Sequence, residues 1–250
     1  MQNKLKNICL KLLLPLAFWL VAWQISAMIV GNSFLIPTIP DTLSALVDLV
    51  CKHSFYSAIL LSLVRVVCSL ALGIFIGVFL GFICHRFSAV AAVFQPIIKI
   101  VKSTPVASFI LLLWVLMSGD MLAVFVGFLM VMPIIYQSTF SGLDSIDKQL
   151  SEVAAVFVFS AKRRLLLLTL PALKKHLPSA IITASGLAWK SVIAAEIIAY
   201  TKRSIGQGIN DAKYNLDTPT VFAWTVVIIL FSILLEWGVK KLMRGKENVA

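Results

Sequence analysis

The side chains able to do chemistry are few and scattered. The three histidines, His53, His85 and His176, show no H-E-x-x-H spacing, and no serine, histidine and acid constellation emerges. Four cysteines, Cys9, Cys51, Cys68 and Cys84, form no C-x-x-C pair, so they read as small apolar side chains. A phosphate loop is missing: Gly186-Leu187-Ala188-Trp189-Lys190-Ser191 ends in Lys-Ser but lacks the second glycine and lies inside an apolar run. The residues point to no catalytic group, no metal site and no cofactor on this chain. The charges that stand out are Arg65, Lys190 and Glu196, each inside an apolar run. A lone charge at membrane depth is expensive, so each needs a partner, water or a headgroup, and either a packed polar contact or a polar path through the bilayer would supply that. Trp189, Ile193, Glu196 and Tyr200 recur at helical spacing on one face, whereas Lys190 points with Ala194 and Ile197. Glu236, near the end of the last apolar run, reads as interfacial.

These charges are held by a chain that no ordinary water-facing surface could be built from. Of 250 residues 60% are hydrophobic and 13% charged, against about 25% charged in soluble domains. The net charge of +11 does not suggest nucleic acid, because the basic residues lie between apolar runs and not in one patch.

Six runs approach the ~20 residues needed to cross ~30 Å of hydrocarbon: 12–30, 55–84, 104–117, 121–136, 177–199 and 219–239. The first follows Lys4, Lys6 and Lys11 but is too long for a signal-peptide core and has no A-x-A site, so it reads as a retained helix. Pro37 and Pro40 break the chain after it, and Asp41 or Thr42 is placed to cap a short amphipathic helix. The third and fourth runs are short, and the segment before the third, including Phe94 to Val101, must extend the helix or lie along the interface. The expected divisions are an N-terminal helix (1–34), an external amphipathic segment (35–54), a core (55–243) holding an inner loop at 144–171, and a tail (244–250).

Orientation follows from lysine and arginine, which cytoplasmic loops carry in excess. With both termini inside, sixteen fall on inner segments, including Arg86, Lys99, Lys102, Lys148, Lys162, Arg163, Arg164, Lys174, Lys175, Lys240 and Lys241. Lys52, Lys202, Arg203 and Lys213 alone fall outside, beside Asp41, Asp48, Asp120, Asp211 and Asp217. On the second run Ser69, Gly73, Gly77 and Gly81 recur every four residues, a small-residue stripe that lets another helix approach closely.

The inner loop between the fourth and fifth runs is the most informative stretch. Helix-forming residues from Gln149 to Val156 lead to Ser160, a plausible N-cap for a second short helix, and Pro171 precedes the next run. An amphipathic loop lying on anionic headgroups through Lys162, Arg163 and Arg164 is the plain alternative. Glu152, Ala154, Leu170 and Pro171 resemble the EAA loop of ATP-binding-cassette importer permeases. Val153 stands where that pattern has its first alanine and Val158 where it has glycine. Leu35-Ile36-Pro37, Ser62 through Val66, Ser103-Thr104-Pro105-Val106-Ala107, Gly186 through Lys190, Ala194-Ala195-Glu196 and Gly206-Gln207-Gly208-Ile209 look like the nitrate/sulfonate/taurine/bicarbonate branch.

That resemblance implies an all-α integral membrane protein of about six spans with the type I importer permease fold. It implies a bacterial cell membrane location, a second permease copy, commonly identical, and separate ATPase subunits that carry ATP and Mg. An external binding protein or lipoprotein would deliver substrate, and lipid surrounds the whole. The loop residues Glu152, Ala154, Ala155, Phe157, Ser160 and Ala161 are then expected to couple to the ATPase. Arg65, Ser103, Thr104, Trp189, Lys190 and Glu196 are candidates for the translocation path. The branch carries small anions and also heterocyclic vitamin precursors; a secondary transporter would not need such a loop.

Overall fold

A computed structural model describes the backbone of residues 2–117 and 119–244 and the side chains of 14–117 and 119–243. Lys4, Lys6, Lys11 and the tail expected at 244–250 lie outside the described side chains. All regular structure among the described residues is helical: α1 (Gln2–Val30), α2 (Ile39–Val50), α3 (His53–Arg86), α4 (Ser88–Ser103), α5 (Val106–Trp114), α6 (Gly119–Asp144), α7 (Lys148–Val156), α8 (Ala161–Arg164), α9 (Leu170–Ile198), α10 (Ile205–Tyr214) and α11 (Thr218–Arg244). A π-turn, Leu165–Thr169, joins α8 to α9.

Four of these helical stretches, 53–86, 119–144, 161–198 and 218–243, are long and apolar enough to cross a bilayer, and α1 adds the apolar stretch Leu14–Val30. The third expected span differs from the sequence reading. Helix covers only Val106–Trp114 there, and nine residues rise ~14 Å, about half the hydrocarbon thickness. It joins α4 at a 102° bend, placed at Thr104-Pro105 because proline disfavours helix in the residue before it.

Helix directions decide whether that bent pair crosses. Along α3 and α6 the close approaches are Ser69 to Gly127, Gly73 to Val131, Gly77 to Ile135 and Gly81 to Thr139. The offset is constant, so α3 and α6 run parallel, and the chain must return between them. The bent α4–α5 pair therefore makes one passage and is not a re-entrant hairpin. α9 runs antiparallel to α6, with Gly127 beside Val192 and Gly142 beside Leu173, and α11 runs antiparallel to α9, with Trp189 donating to the Ile228 carbonyl at 3.1 Å. Among the described residues there are four such spans, five with the bent pair counted as one, and their directions bring the C-terminal ends of α3 and α6 and the N-terminal end of α9 to one end of the bundle. Arg86, Lys148, Lys162, Arg163, Arg164, Lys174 and Lys175 lie at that end, here termed the basic end.

Small residues set the tightest contact. A Cβ on Gly77 would lie 2.8 Å from Ile135 Cβ and 2.9 Å from the Met132 carbonyl oxygen, so α3 and α6 touch through backbone. Such close approach maximises dispersion where lipid offers no hydrophobic advantage. At the opposite end the cap of α2 is neither Asp41 nor Thr42. Thr38 is the N-cap, its hydroxyl accepting from the Asp41 amide at 3.3 Å, while Asp41 Oδ2 accepts from the Thr38 amide at 3.2 Å. Asp41 thus occupies the third helical position of a capping box. The hydrogen bonds from Thr38, and that from Ser33, hold its carboxyl below the ordinary carboxylate range.

Candidate functional sites in the membrane core and the basic-end loop

Near the non-basic end, α3, α6, α9 and the turn before α10 converge on one guanidinium. Arg65 Nη1 donates to Glu196 Oε1 at 2.7 Å. Its Nε and Nη2 donate to Asp120 Oδ1 at 2.9 and 2.5 Å, and Nη2 also reaches the Lys202 carbonyl at 3.2 Å. The second Glu196 oxygen accepts from Ser62 Oγ at 2.8 Å and from the Gly206 amide at 3.4 Å. Ser62 Oγ in turn accepts from the Ile205 amide at 3.1 Å. Arg65 and Glu196 are buried, whereas the Asp120 side chain is 76% exposed. A cleft of about 470 Å³ opens beside Asp120, lined also by Tyr200, Thr201, Lys202 and Arg203.

Local sequence explains how these groups meet. Ser62, Arg65 and Ser69 sit at helical spacing on the face that continues into Gly73, Gly77 and Gly81, so the charge enters the bundle on the same stripe that packs on α6. Gly206 lets α10 lie against the end of α9: a Cβ there would lie 2.5 Å from Glu196 Cβ. Gly208 does the same under the Trp224 ring. The third helical member, Asp120, was missed as a partner in the sequence. The available signal was an acid in the first turn of a membrane helix together with an intramembrane arginine that needed a counter-ion.

The six residues expected along a transport path do not form one cluster. Arg65 and Glu196 are paired and inside the chain. Trp189 is fully buried, stacked on Phe231 with ring centroids 6.2 Å apart. Ser103 and Thr104 return their hydroxyls to the Ile100 carbonyl, at 3.1 and 2.8 Å, and finish α4 at the bend. Lys190 is exposed on α9, opposite in sense to Trp189, with no ion-pair partner among the described residues.

At the basic end α7 and a turn lead into α8, the first turn of the helical stretch 161–198 that continues through α9. Asp147 caps α7 by accepting from the Gln149 amide at 2.8 Å, and Ser160 caps α8 by accepting from the Arg163 amide at 3.4 Å. α7 closes in a Schellman motif: the Phe159 amide bonds the Ala154 carbonyl at 2.9 Å and the Val158 amide bonds the Ala155 carbonyl at 3.1 Å. This geometry places Val158 at φ +48°, a conformation suited to glycine and costly for a β-branched residue. Glu152, Ala155, Phe157, Ser160 and Ala161 are exposed. Ala154 is not; it is 4% exposed, which takes it off the outward face expected of the coupling residues. Val156, Phe157 and Val158, 71–85% exposed, form an apolar tip beside Glu152.

Comparison with known proteins agrees with this architecture. Residues 73–247 match the family described as binding-protein-dependent transport system inner membrane component. A putative ABC transporter permease of Methanocaldococcus jannaschii is 23% identical over 94% of this chain and 90% of its own. The taurine transport system permease protein of Escherichia coli is 23% identical over 90% and 83%, and the nitrate import permease protein of Synechococcus elongatus 27% over 84% and 80%. Among solved structures, an amino acid ABC transporter superposes with a TM-score of 0.62 at 15% identity, over 79% of this chain and 94% of that one, a likeness of fold. With its parallel α3–α6 core and bent fourth-to-fifth helix passage, the chain belongs to the binding-protein-dependent transport system inner membrane components, the permeases of ABC importers.

Proposed function

We propose that two copies of this chain form the translocation path of an importer for a small anion, energised by separate ATPase subunits that bind ATP and Mg at the basic end. An external binding protein or lipoprotein delivers the substrate to the opposite end. The observation that carries the coupling reading is α7 and the turn that follows it: Glu152 and the apolar tip Val156-Phe157-Val158 are exposed while Ala154 is buried. Lysine and arginine gather at the same end, which supports a cytoplasmic position for it and for both termini. Cysteines introduced at Lys202 and Lys241 test this orientation: only the first should label from outside intact cells.

The anion reading is supported by the names of similar permeases, which include taurine, aliphatic sulfonate and nitrate systems, and by exposed, unpaired Lys190. In this reading Lys190 faces a polar cavity shared with the second copy, and Arg65, Glu196 and Trp189 support the wall without touching substrate. Binding measurements on the cognate external protein identify the substrate.

Glu152→Ala tests the coupling. Breaking a hydrogen-bonded charge pair at a partly buried interface costs about 2–5 kcal/mol, so the variant should lose ATPase association or substrate-stimulated hydrolysis when purified with the ATPase in one detergent. A loop that merely lies on headgroups depends instead on Lys162, Arg163 and Arg164. Full assembly and coupling in Glu152→Ala, with failure on neutralising those three, would overturn the docking assignment.

A further inference from the structure

Two cavities meet beneath the basic-end loop. One, of about 620 Å³, lies between the ends of α3 and α6 and the inner sides of α7 and α8, and is lined by Arg86, Lys148 and Arg164 with Asp144 as its one acid, alongside His85 and Ser151. None of the three cations makes an ion pair among the described residues. Ser151 is one turn before buried Ala154, so this cavity is on the bundle side of α7 and not on its outward tip. The second, of about 720 Å³, is a groove walled by Leu165, Leu170, Leu173, Ile181 and Met243, with Lys174 and Lys175 at its rim. Phe82 and Thr169 line both cavities, so the two adjoin at these side chains.

We propose that this paired cavity binds one anionic phospholipid from the leaflet on the basic side, its phosphate among Arg86, Lys148 and Arg164 and an acyl chain in the groove. The groove follows α9 from Leu170 to Ile181, a rise of ~16 Å, which matches the half-thickness of a ~30 Å hydrocarbon core. A soluble anion would use the basic cavity but gain nothing from an apolar groove leading away from it into the membrane. A zwitterionic lipid would fill the groove but leave three clustered cations under-compensated. The bound lipid would brace the root of the loop from within, since Lys148 and Arg164 belong to α7 and α8 and Arg86 ends α3.

The test is native mass spectrometry of the full-length chain from micelles containing equal phosphatidylglycerol and phosphatidylcholine. One phosphatidylglycerol should remain per chain after phosphatidylcholine is lost. Arg86→Gln/Lys148→Gln/Arg164→Gln should weaken its retention on the order of a hundredfold. Leu165→Trp, which keeps every charge and narrows the groove, should weaken it as well. Equal retention of both lipids, or unchanged retention in the triple variant, would overturn the proposal. So would displacement of the lipid by inorganic phosphate, which marks a small-anion site, or a Leu165→Trp change that disrupts chain pairing while lipid retention is unaltered, which marks a groove covered by the second copy.

Discussion

Replacing Val158 by glycine should tighten the loop at the basic end. Val158 holds φ +48° at the C-terminal turn of α7 while its side chain is 85% exposed, so it endures the left-handed conformation with almost no packing in return. That conformation costs an L-residue roughly 1–2 kcal/mol, and glycine gives back part of the gain through the greater freedom of its unfolded chain, of the order of 0.5–1 kcal/mol. The net expectation is about 1 kcal/mol in favour of the glycine variant, near a fivefold change in the opening equilibrium. The reporters are the Val158 and Phe159 amides, which close the Schellman turn on the Ala155 and Ala154 carbonyls. Hydrogen exchange of the peptide covering 153–164 should slow about fivefold in Val158→Gly, with exchange in α6 and α9 unchanged. Equal or faster exchange in that peptide would refute the strain argument, because it would mean the turn is not limited by the backbone of residue 158.

The Arg65–Glu196 pair should behave as a coupled unit. Arg65→Met alone should cost about 3–5 kcal/mol by leaving buried Glu196 uncompensated, and Glu196→Gln less, because Arg65 keeps Asp120, whereas the double variant should recover much of the Arg65→Met loss in thermal unfolding; strictly additive effects would deny the coupling. Asp120→Asn, on an exposed carboxylate, should cost no more than about 1 kcal/mol. Gly77→Ala should destabilise the α3–α6 contact by roughly 1–3 kcal/mol, since the new methyl meets the Met132 carbonyl and the backbone-fixed Cβ of Ile135; an unchanged melting temperature would show that the helices can separate freely. Lys190→Met should impair transport while leaving expression and subunit stoichiometry intact, and unaltered transport kinetics would remove Lys190 from the proposed path.

Composition and periodicity were enough to establish a helical membrane bundle, because hydrocarbon permits only internally bonded backbone and the apolar runs are nearly long enough to span it. The four-residue recurrence of Ser69, Gly73, Gly77 and Gly81 likewise announced a close-packed face, since small residues on one stripe can serve little else in lipid. Ser160 was legible as a cap because its chemistry is local. Which helix met that stripe was not, and neither was its parallel direction, which alone establishes that the short α5 shares a passage with α4. Arg65, Glu196 and Asp120 were each visible as charges, yet their meeting depends on contacts across 55 and 131 residues, and no local pattern encodes a pairing between helices. Val158 shows the same division at a single residue: the resemblance marked it as a valine where the pattern has glycine, but only the folded turn, by forcing its φ positive, shows what that substitution costs.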